Sequence, residues 1–477
     1  METYQQFING ALVDSHSSEW IEIENPYTTQ VIARAPRGDE TDADRAVEAA
    51  KASQAAWAKQ APASRAAYLK KFAALIRENR DRLARVLASE QAKILPLAQV
   101  EIDVTAEYFD YYAGWARIYE GEIINSDDPR ENILLFQKPI GVVAGICPWN
   151  FPFFVMARKV APALLTGCSI VLKPSSNTPA TTFEFARLVA GLDLPPGVLN
   201  FVSGGGATLC TALVRHPDVD MVSLTGSVEA GQEIMRNAVD KVMKTSLELG
   251  GKAPAIIFPD ADIDLAVKGV TDSRLIYSGQ VCNCCERVYV HDAIYDEFVG
   301  KLKASFEASA YGDPFADPAP VYSSQIDAAQ LEKISQMVTR AVDAGAEVLT
   351  GGKQADVGTG YFYQPTLITG AAQDSEIVQQ EVFGPVLPVL RWSDYDQVIA
   401  DANGVEYGLT SSVFTTTINT VMQAVKDLNF GETYVNREHF EGIQGFHAGW
   451  RKSGVGGADG KHGLYEYLQS QVVYIRY

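Results

Sequence analysis

The sequence predicts an α/β protein built around a doubly wound parallel sheet, and three observations carry that prediction. From Gly141 onward, short β-branched runs (GVVAGIC, SIVLKPS, GVLNFVSG, VDMVSLTGS, KAPAIIF) alternate with amphipathic segments such as 181–191 and 207–216. A second alternating region follows, with a helical pattern near 262–278 and strand-like runs near 286–290, 385–391, 410–415 and 431–436. Gly-rich turns follow several strands, where free N–H groups at helix N-termini favour anions.

In chain order, residues 5–14 (QQFINGALVD) read as a short hairpin around Asn9-Gly10. From about 41 to 119 the pattern is helical and Ala-rich, with apolar residues at three- and four-residue steps and Pro62 breaking it between segments. A polar turn, NSDDPREN, precedes the strand-like ILLFQ at 133–137. The final QSQVVYIRY is a strand with no nearby partner, so it pairs with a distant strand or a neighbouring subunit. No internal repeat, low-complexity tract or clean linker divides the chain, which predicts closely packed, discontinuous domains.

At 477 residues the chain is too long for one simple core, and two or three domains are expected. Apolar residues at 47 % and charged residues at 21 % fit a globular enzyme. A net charge of −19 argues against nucleic-acid binding, because little is available to neutralise phosphates. No apolar run would span a bilayer, and the N-terminus lacks the regions of a secretory signal, so a soluble, cytoplasmic protein is expected. Three of the six cysteines crowd into GQVCNCCERV as Cys282, Cys284 and Cys285. They have no separated partner pair, and the six histidines show no ligand spacing, so no metal is expected.

Several residues are candidates for chemistry. Gly204-Gly205-Gly206 follows a strand but does not complete G-x-G-x-x-G, because Leu209 takes the third glycine's place, and a simple turn explains it equally well. Thr225-Gly226-Ser227 opens another helix and is a second candidate for cofactor contact. Lys173 ends an apolar strand and places a cation at the carboxyl edge of the sheet, where doubly wound folds bind ligands; a solvated strand-end lysine is the competing reading. Glu248, flanked by apolar residues, should have a raised pKa and serve as a general base. Asn150, after a Pro-Trp turn, could donate its amide to an oxyanion. With the Cys282 thiol these residues make an acyl-transfer constellation, and no histidine is needed if a cofactor's positive charge lowers the thiol pKa. Taken singly, each also reads as a capped loop acid, a turn former or a small buried hydrophobe.

PWNFPF (148–153), KPS (173–175), TGSVEAG (225–231), LELGGK (247–252), GQVC (279–282) and EVFGP (381–385) stand in the order and spacing of the aldehyde dehydrogenase superfamily. The resemblance spans nearly the whole chain. Within the superfamily, SGQVCNC and the tail YVNREHFEGIQGFHAGWRKSGVGGADGKHGLYEYLQ are similar to lactaldehyde and glycolaldehyde dehydrogenases.

The resemblance implies a Rossmann-type cofactor domain over 1–119 and 140–250, a catalytic domain over 251–460, and a small β oligomerisation element from 120–139 and 461–477, assembling as a dimer or a tetramer. It implies that Cys282 is the nucleophile, Glu248 the base for the hydrolytic water, and Asn150 part of the oxyanion hole, with Cys284 and Cys285 not catalytic. NAD, or NADP, would be held by Trp149, Lys173, Ser175, Ser176, Gly204, Thr225, Gly226, Ser227, Leu249, Glu381 and Phe383. Arg158, Asn283, Glu441 and His447 match the substrate pocket of lactaldehyde dehydrogenases and imply a small hydroxylated aldehyde.

The chain departs from the pattern at three places. Ser176 stands where NAD-preferring members often carry Glu, which removes a carboxylate that would repel a 2′-phosphate. Arg158 replaces a bulky aromatic, and an arginine also attracts carboxylates, so a semialdehyde acid is an alternative substrate. PVYSSQIDAAQ, near 320–330, lacks a common Gly-Pro. Two rivals lie outside this chemistry: a non-enzymatic nicotinamide-binding protein, and a thiol-redox protein using the C-x-C-C cluster.

Overall fold

The computed structural model describes residues 1–477. Its largest sheet has eight strands, in the order Gly454–Val455, Lys244–Glu248, Met221–Thr225, Val142–Ile146, Ser169–Lys173, Leu199–Phe201, Gln6–Ile8 and Ala11–Val13. The five central strands run parallel, and the pairings at both ends are antiparallel. Alternation along the strands sends side chains to two cores. Val143, Ile170, Leu172 and Met221 enter the larger core with the helices Pro62–Glu78, Leu95–Gly114 and Pro152–Thr166. Val142, Ala144, Val171 and Val222 enter the opposite one with Glu40–Ala58 and Gly206–Arg215.

The chain reverses direction across this sheet between Val142–Ile146 and Met221–Thr225, and ligands of doubly wound sheets bind at the carboxyl ends beside such a reversal. A second sheet of seven strands runs Glu347–Thr350, Thr366–Thr369, Val386–Trp392, Cys285–His291, Ala253–Ile257, Thr410–Phe414 and Glu432–Val435. It is parallel except for its first pair.

The predicted hairpin forms between Gln6–Ile8 and Ala11–Val13, with Asn9 and Gly10 at positive φ. The helical stretch resolves into four helices, and Pro62 opens the second, where its missing N–H costs nothing. The helix expected over 262–278 stops at Leu275, because Tyr277, Ser278 and Gly279 take left-handed conformations. The C-terminal strand, without a partner on the sequence reading, pairs within its own chain. Leu468–Arg476 runs antiparallel to Glu131–Pro139 over nine residue pairs, and Glu122–Asn125 completes a three-stranded sheet. No helix is long and apolar enough to cross a membrane.

Candidate active site

Two cavities enter the molecule and share three residues, Asn150, Thr225 and Cys282. One, about 890 Å³ including its open mouth, is walled by Val100, Val104, Phe151, Phe154, Val155 and Ile276, and its polar groups include Arg158, Asn283 and Glu441. The other is a cleft of about 1520 Å³, including its open mouth, at the sheet's switch point. Cys282 is half-buried at the junction, within reach of both.

The turn carrying Cys282 is held against strain. Tyr277 and Ser278 have φ of 45° and 56°, a region costly for side-chain-bearing residues. The Tyr277 hydroxyl donates to Gln91 O (3.1 Å), the Ser278 hydroxyl to Ser323 O (2.6 Å), and Arg274 Nη2 to Gly279 O (2.9 Å). A Cβ on Gly279 would fall 2.3 Å from Gly384 O, so only glycine fits there. Ile326 N donates to Gln280 Oε1 (2.9 Å), so the departing 320–330 segment braces the Cys282 turn as well as forming a loop. Cys284 and Cys285 are buried, and burial pushes both thiols up to about 12. They stay protonated, which leaves the C-x-C-C cluster with one accessible sulfur.

Asn150 is fixed from beneath. Its carbonyl accepts from Lys93 Nζ (2.7 Å) and Gln91 Nε2 (2.9 Å), and Lys93 is paired in turn with buried Glu101 (2.5 Å). Asn150 Nδ2 donates to Gln280 O (3.0 Å), which aims the amide along the Cys282 turn and leaves its second hydrogen for another acceptor. Lys93, Gln91 and Glu101 escaped the sequence reading, because their role depends on contacts some 50 residues away.

Glu248 ends a strand whose register sets it beside Thr225. Its Oε2 accepts from the Thr225 hydroxyl (2.9 Å), while buried Oε1 has no partner and is free to accept a proton. The raised pKa expected from its apolar sequence neighbours is not found. Burial pushes the carboxyl up, but Arg158, then His447 and Lys159, with the Thr225 hydrogen bond, bring it below its ordinary value. Arg158 Nη1 lies 3.9 Å from Glu248 Oε2.

Arg158 is itself saturated. It donates to Asp459 (2.9 and 2.5 Å) and to Glu441 (2.9 Å), and Asn283 Nδ2 donates to the other Glu441 oxygen (2.5 Å). Three carboxylates therefore neutralise this guanidinium. A carboxylate-bearing substrate would meet Glu441 rather than a free cation, which removes the ground for a semialdehyde acid.

The cleft brings together Trp149, Lys173, Ser175, Ser176, Thr225, Gly226, Ser227, Leu249, Glu381 and Phe383. Gly204 lies outside this lining. It bridges Gly38, and a Cβ there would fall 2.5 Å from Gly38 O, so its role is close backbone packing, while Gly206 reaches the cleft. Lys173 is 4 % exposed, and its ammonium donates to Pro174 O (3.2 Å). That is not a solvated strand end, and it leaves donors for a hydroxylated, anionic ligand. Ser227 caps Val228–Ala238, whose positive end faces the cleft. Glu381, pushed up to about 7 chiefly by burial, accepts from Gly251 N (2.9 Å). Phe383 (φ 57°) packs edge-on against Trp149, and its N–H donates to Glu286, which Lys252 and Arg274 clamp. These groups fit a dinucleotide.

Comparison with known proteins agrees. The model of the aldehyde dehydrogenase family matches residues 12–473. The chain is 51 % identical to lactaldehyde dehydrogenase of Escherichia coli over 473 residues, covering 99 % of this chain and 98 % of that one. A crystal structure of the Escherichia coli lactaldehyde dehydrogenase superposes with a TM-score of 0.98, covering 100 % of this chain and 99 % of that one. A structure of 3,6-anhydro-L-galactose dehydrogenase in complex with NAP, 41 % identical, gives 0.97 with full coverage of both chains. With the thiol and amide where the two cavities meet, a buried carboxylate held on Thr225 behind them, and a full-length match in sequence and fold, this chain belongs to the aldehyde dehydrogenase family.

Proposed function

We propose that this protein oxidises a small hydroxylated aldehyde, lactaldehyde or glycolaldehyde, to its carboxylic acid with NAD or NADP. The junction of the two cavities at Cys282 carries the reading, because a nucleophile reached from both sides can hold an aldehyde carbon against a nicotinamide.

When bound, the nicotinamide accepts a hydride. Everything else falls to the chain. Cys282 Sγ adds to the aldehyde carbon, and the developing oxyanion takes a hydrogen bond from Asn150 Nδ2 and from the Cys282 backbone N–H. Loss of the hydride leaves a thioester on Cys282. Glu248 Oε1 takes a proton from a water that attacks this thioester, releasing the acid and restoring the thiol. A resident base directs the acyl group to water, which makes the enzyme non-acylating. Glu441, oriented by Arg158 and Asn283, offers acceptor positions for the substrate's hydroxyl.

Ser176, whose hydroxyl donates to Gly204 O (3.0 Å), puts no carboxylate where a 2′-phosphate would sit, which supports use of NADP alongside NAD. The partition into cofactor (1–119, 140–250), catalytic (251–460) and bridging (120–139, 461–477) parts is supported by the division of strands among the sheets, with one exchange: Gly454–Val455 returns to the cofactor sheet. The apolar side chains of Ile123, Phe136 and Tyr474 on the bridging sheet support a homo-oligomer, and we take the location to be cytoplasmic.

The test is nicotinamide reduction by the purified protein with lactaldehyde, glycolaldehyde and a semialdehyde acid, each with NAD and NADP. Turnover of the hydroxyaldehydes that vanishes in Cys282→Ser supports the proposal. Preference for the semialdehyde acid overturns the substrate reading.

A further inference from the structure

Arg158 is the one arginine or lysine in the wall of the aldehyde cavity, where Glu101, Asp272, Glu438 and Glu441 also stand. Much of what holds it lies outside that wall. Asp459 lines neither cavity, is 1 % exposed, and grips Arg158 with both oxygens: Oδ1 accepts from Nε (2.9 Å) and Oδ2 from Nη2 (2.5 Å). Tyr108, buried on the helix Leu95–Gly114, also donates its hydroxyl to Oδ1 (2.8 Å). Burial pushes the Asp459 carboxyl up and Arg158 pulls it back; with three donors converging on it, the group stands as a carboxylate.

Asp459 is also kept in a costly backbone conformation. Its φ of 70° and ψ of 161° lie in a region that is nearly glycine's alone, and a side-chain-bearing residue persists there only where its surroundings dictate it. On one side, Ala458 and His447 exchange backbone hydrogen bonds of 2.8 and 2.9 Å. On the other, Gly460 N donates to Ile443 O (3.0 Å) and the Tyr112 hydroxyl to Gly460 O (3.1 Å). A buried ion pair adds little net stability, and the strain subtracts from it. A strained, buried carboxylate clamped onto a pocket residue points to function instead.

From this arrangement we propose that Asp459 sets the charge selectivity of the aldehyde pocket: from behind the wall it orients and neutralises Arg158, so that the pocket takes an uncharged hydroxylated aldehyde and refuses one bearing a carboxylate. The inference rests on the aldehyde oxidation proposed above. The Nε–Nη2 edge of a guanidinium is a natural seat for a carboxylate, and Asp459 occupies it. Nη2 also donates to Glu441 (2.9 Å), whose other oxygen Asn283 holds. An anion entering the cavity therefore meets carboxylates with no unpaired cation behind them, and like charges repel it. Asp459 never touches the substrate and acts through Arg158, as a positioning residue.

The experiment measures kcat and KM of the full-length enzyme, with NAD and with NADP, on lactaldehyde, on succinate semialdehyde and on the uncharged methyl ester of that acid. Acid and ester differ by one charge at similar size, so the ratio of their kcat/KM values reads charge. The wild type should favour the ester by at least about tenfold. Asp459→Asn should cut that preference about tenfold, chiefly through a lower KM for the acid. A merely structural role would depress all three substrates together and leave the ratio where it was. Should Asp459→Asn fail to fold by thermal unfolding, Asp459→Gly, which suits that backbone, decides. A wild-type ratio near one, or a ratio unmoved in the folded variant, overturns the inference. A wild type that oxidises none of the three sinks the aldehyde reading and the inference with it. One that oxidises lactaldehyde and the ester, with the ratio unmoved by the substitution, sinks the role of Asp459 alone.

Discussion

At the scale of single residues, chemistry here is set by who is buried beside whom. Three cysteines within four positions differ because two are buried, with thiols near 12, while the third is half-buried and lines both cavities. Cys284→Ala and Cys285→Ala should therefore keep steady-state turnover within about twofold and show only the stability loss of a trimmed core side chain. Turnover falling with either, as with Cys282→Ser, would revive the thiol-redox rival. Glu248 makes the electrostatic point. Its pKa lies below the ordinary value, so it is ionised across the neutral range, and the acid limb of the hydrolytic step should not sit near pH 6–7. Removing Arg158, the largest cation acting on it, should raise that limb toward neutrality, checked by the pH profile of kcat in Arg158→Met. The same change strands Asp459 and Glu441 in the interior and should cost roughly 3–5 kcal/mol in urea unfolding.

At the scale of elements, local patterning made the helices and most strands readable. The three- and four-residue apolar steps of 41–119 and the β-branched runs after Gly141 reappear in the structure as helices and as strands of the two sheets. Cys282, Glu248 and Asn150 were readable as candidates from their residue types and neighbours. Three things were not. Lys244–Glu248 is absent from the strand-like runs of the sequence, which marked only Glu248 among apolar neighbours, and pairing with Met221–Thr225 is what makes it a strand. The C-terminal strand's partner lies over 300 positions upstream, a distance no local pattern encodes. The lowered pKa of Glu248 comes from Arg158 and His447, both remote in sequence. The helix Val228–Ala238 supplies a test at this scale. A Cβ on Gly231 would fall 2.6 Å from Leu249 Cδ1, and Leu249 lines the cleft, so Gly231→Ala should push that leucine toward the cofactor. We expect the KM for NAD to rise severalfold with the KM for aldehyde little changed, and a stability loss of about 1–3 kcal/mol.

At the scale of the molecule, two sheets and a bridging ribbon hold two cavities in line on one sulfur. The ribbon leaves Ile123, Tyr474 and Ile475 exposed, an apolar surface that a folded chain rarely leaves bare. Ile123→Lys with Tyr474→Lys should convert the proposed oligomer to a monomer, read by light scattering; an unchanged mass would place the interface elsewhere.

The central claim, that the cavities meet at a thiol served by a separate hydrolytic base, is tested most directly in a single turnover. Glu248→Gln, mixed with NAD and lactaldehyde, should release one burst of reduced nicotinamide per active site and then stall, with the acyl adduct on Cys282 visible by mass. Cys282→Ser should give no burst. Steady turnover without an accumulating adduct in Glu248→Gln, or a burst in Cys282→Ser, would contradict the account.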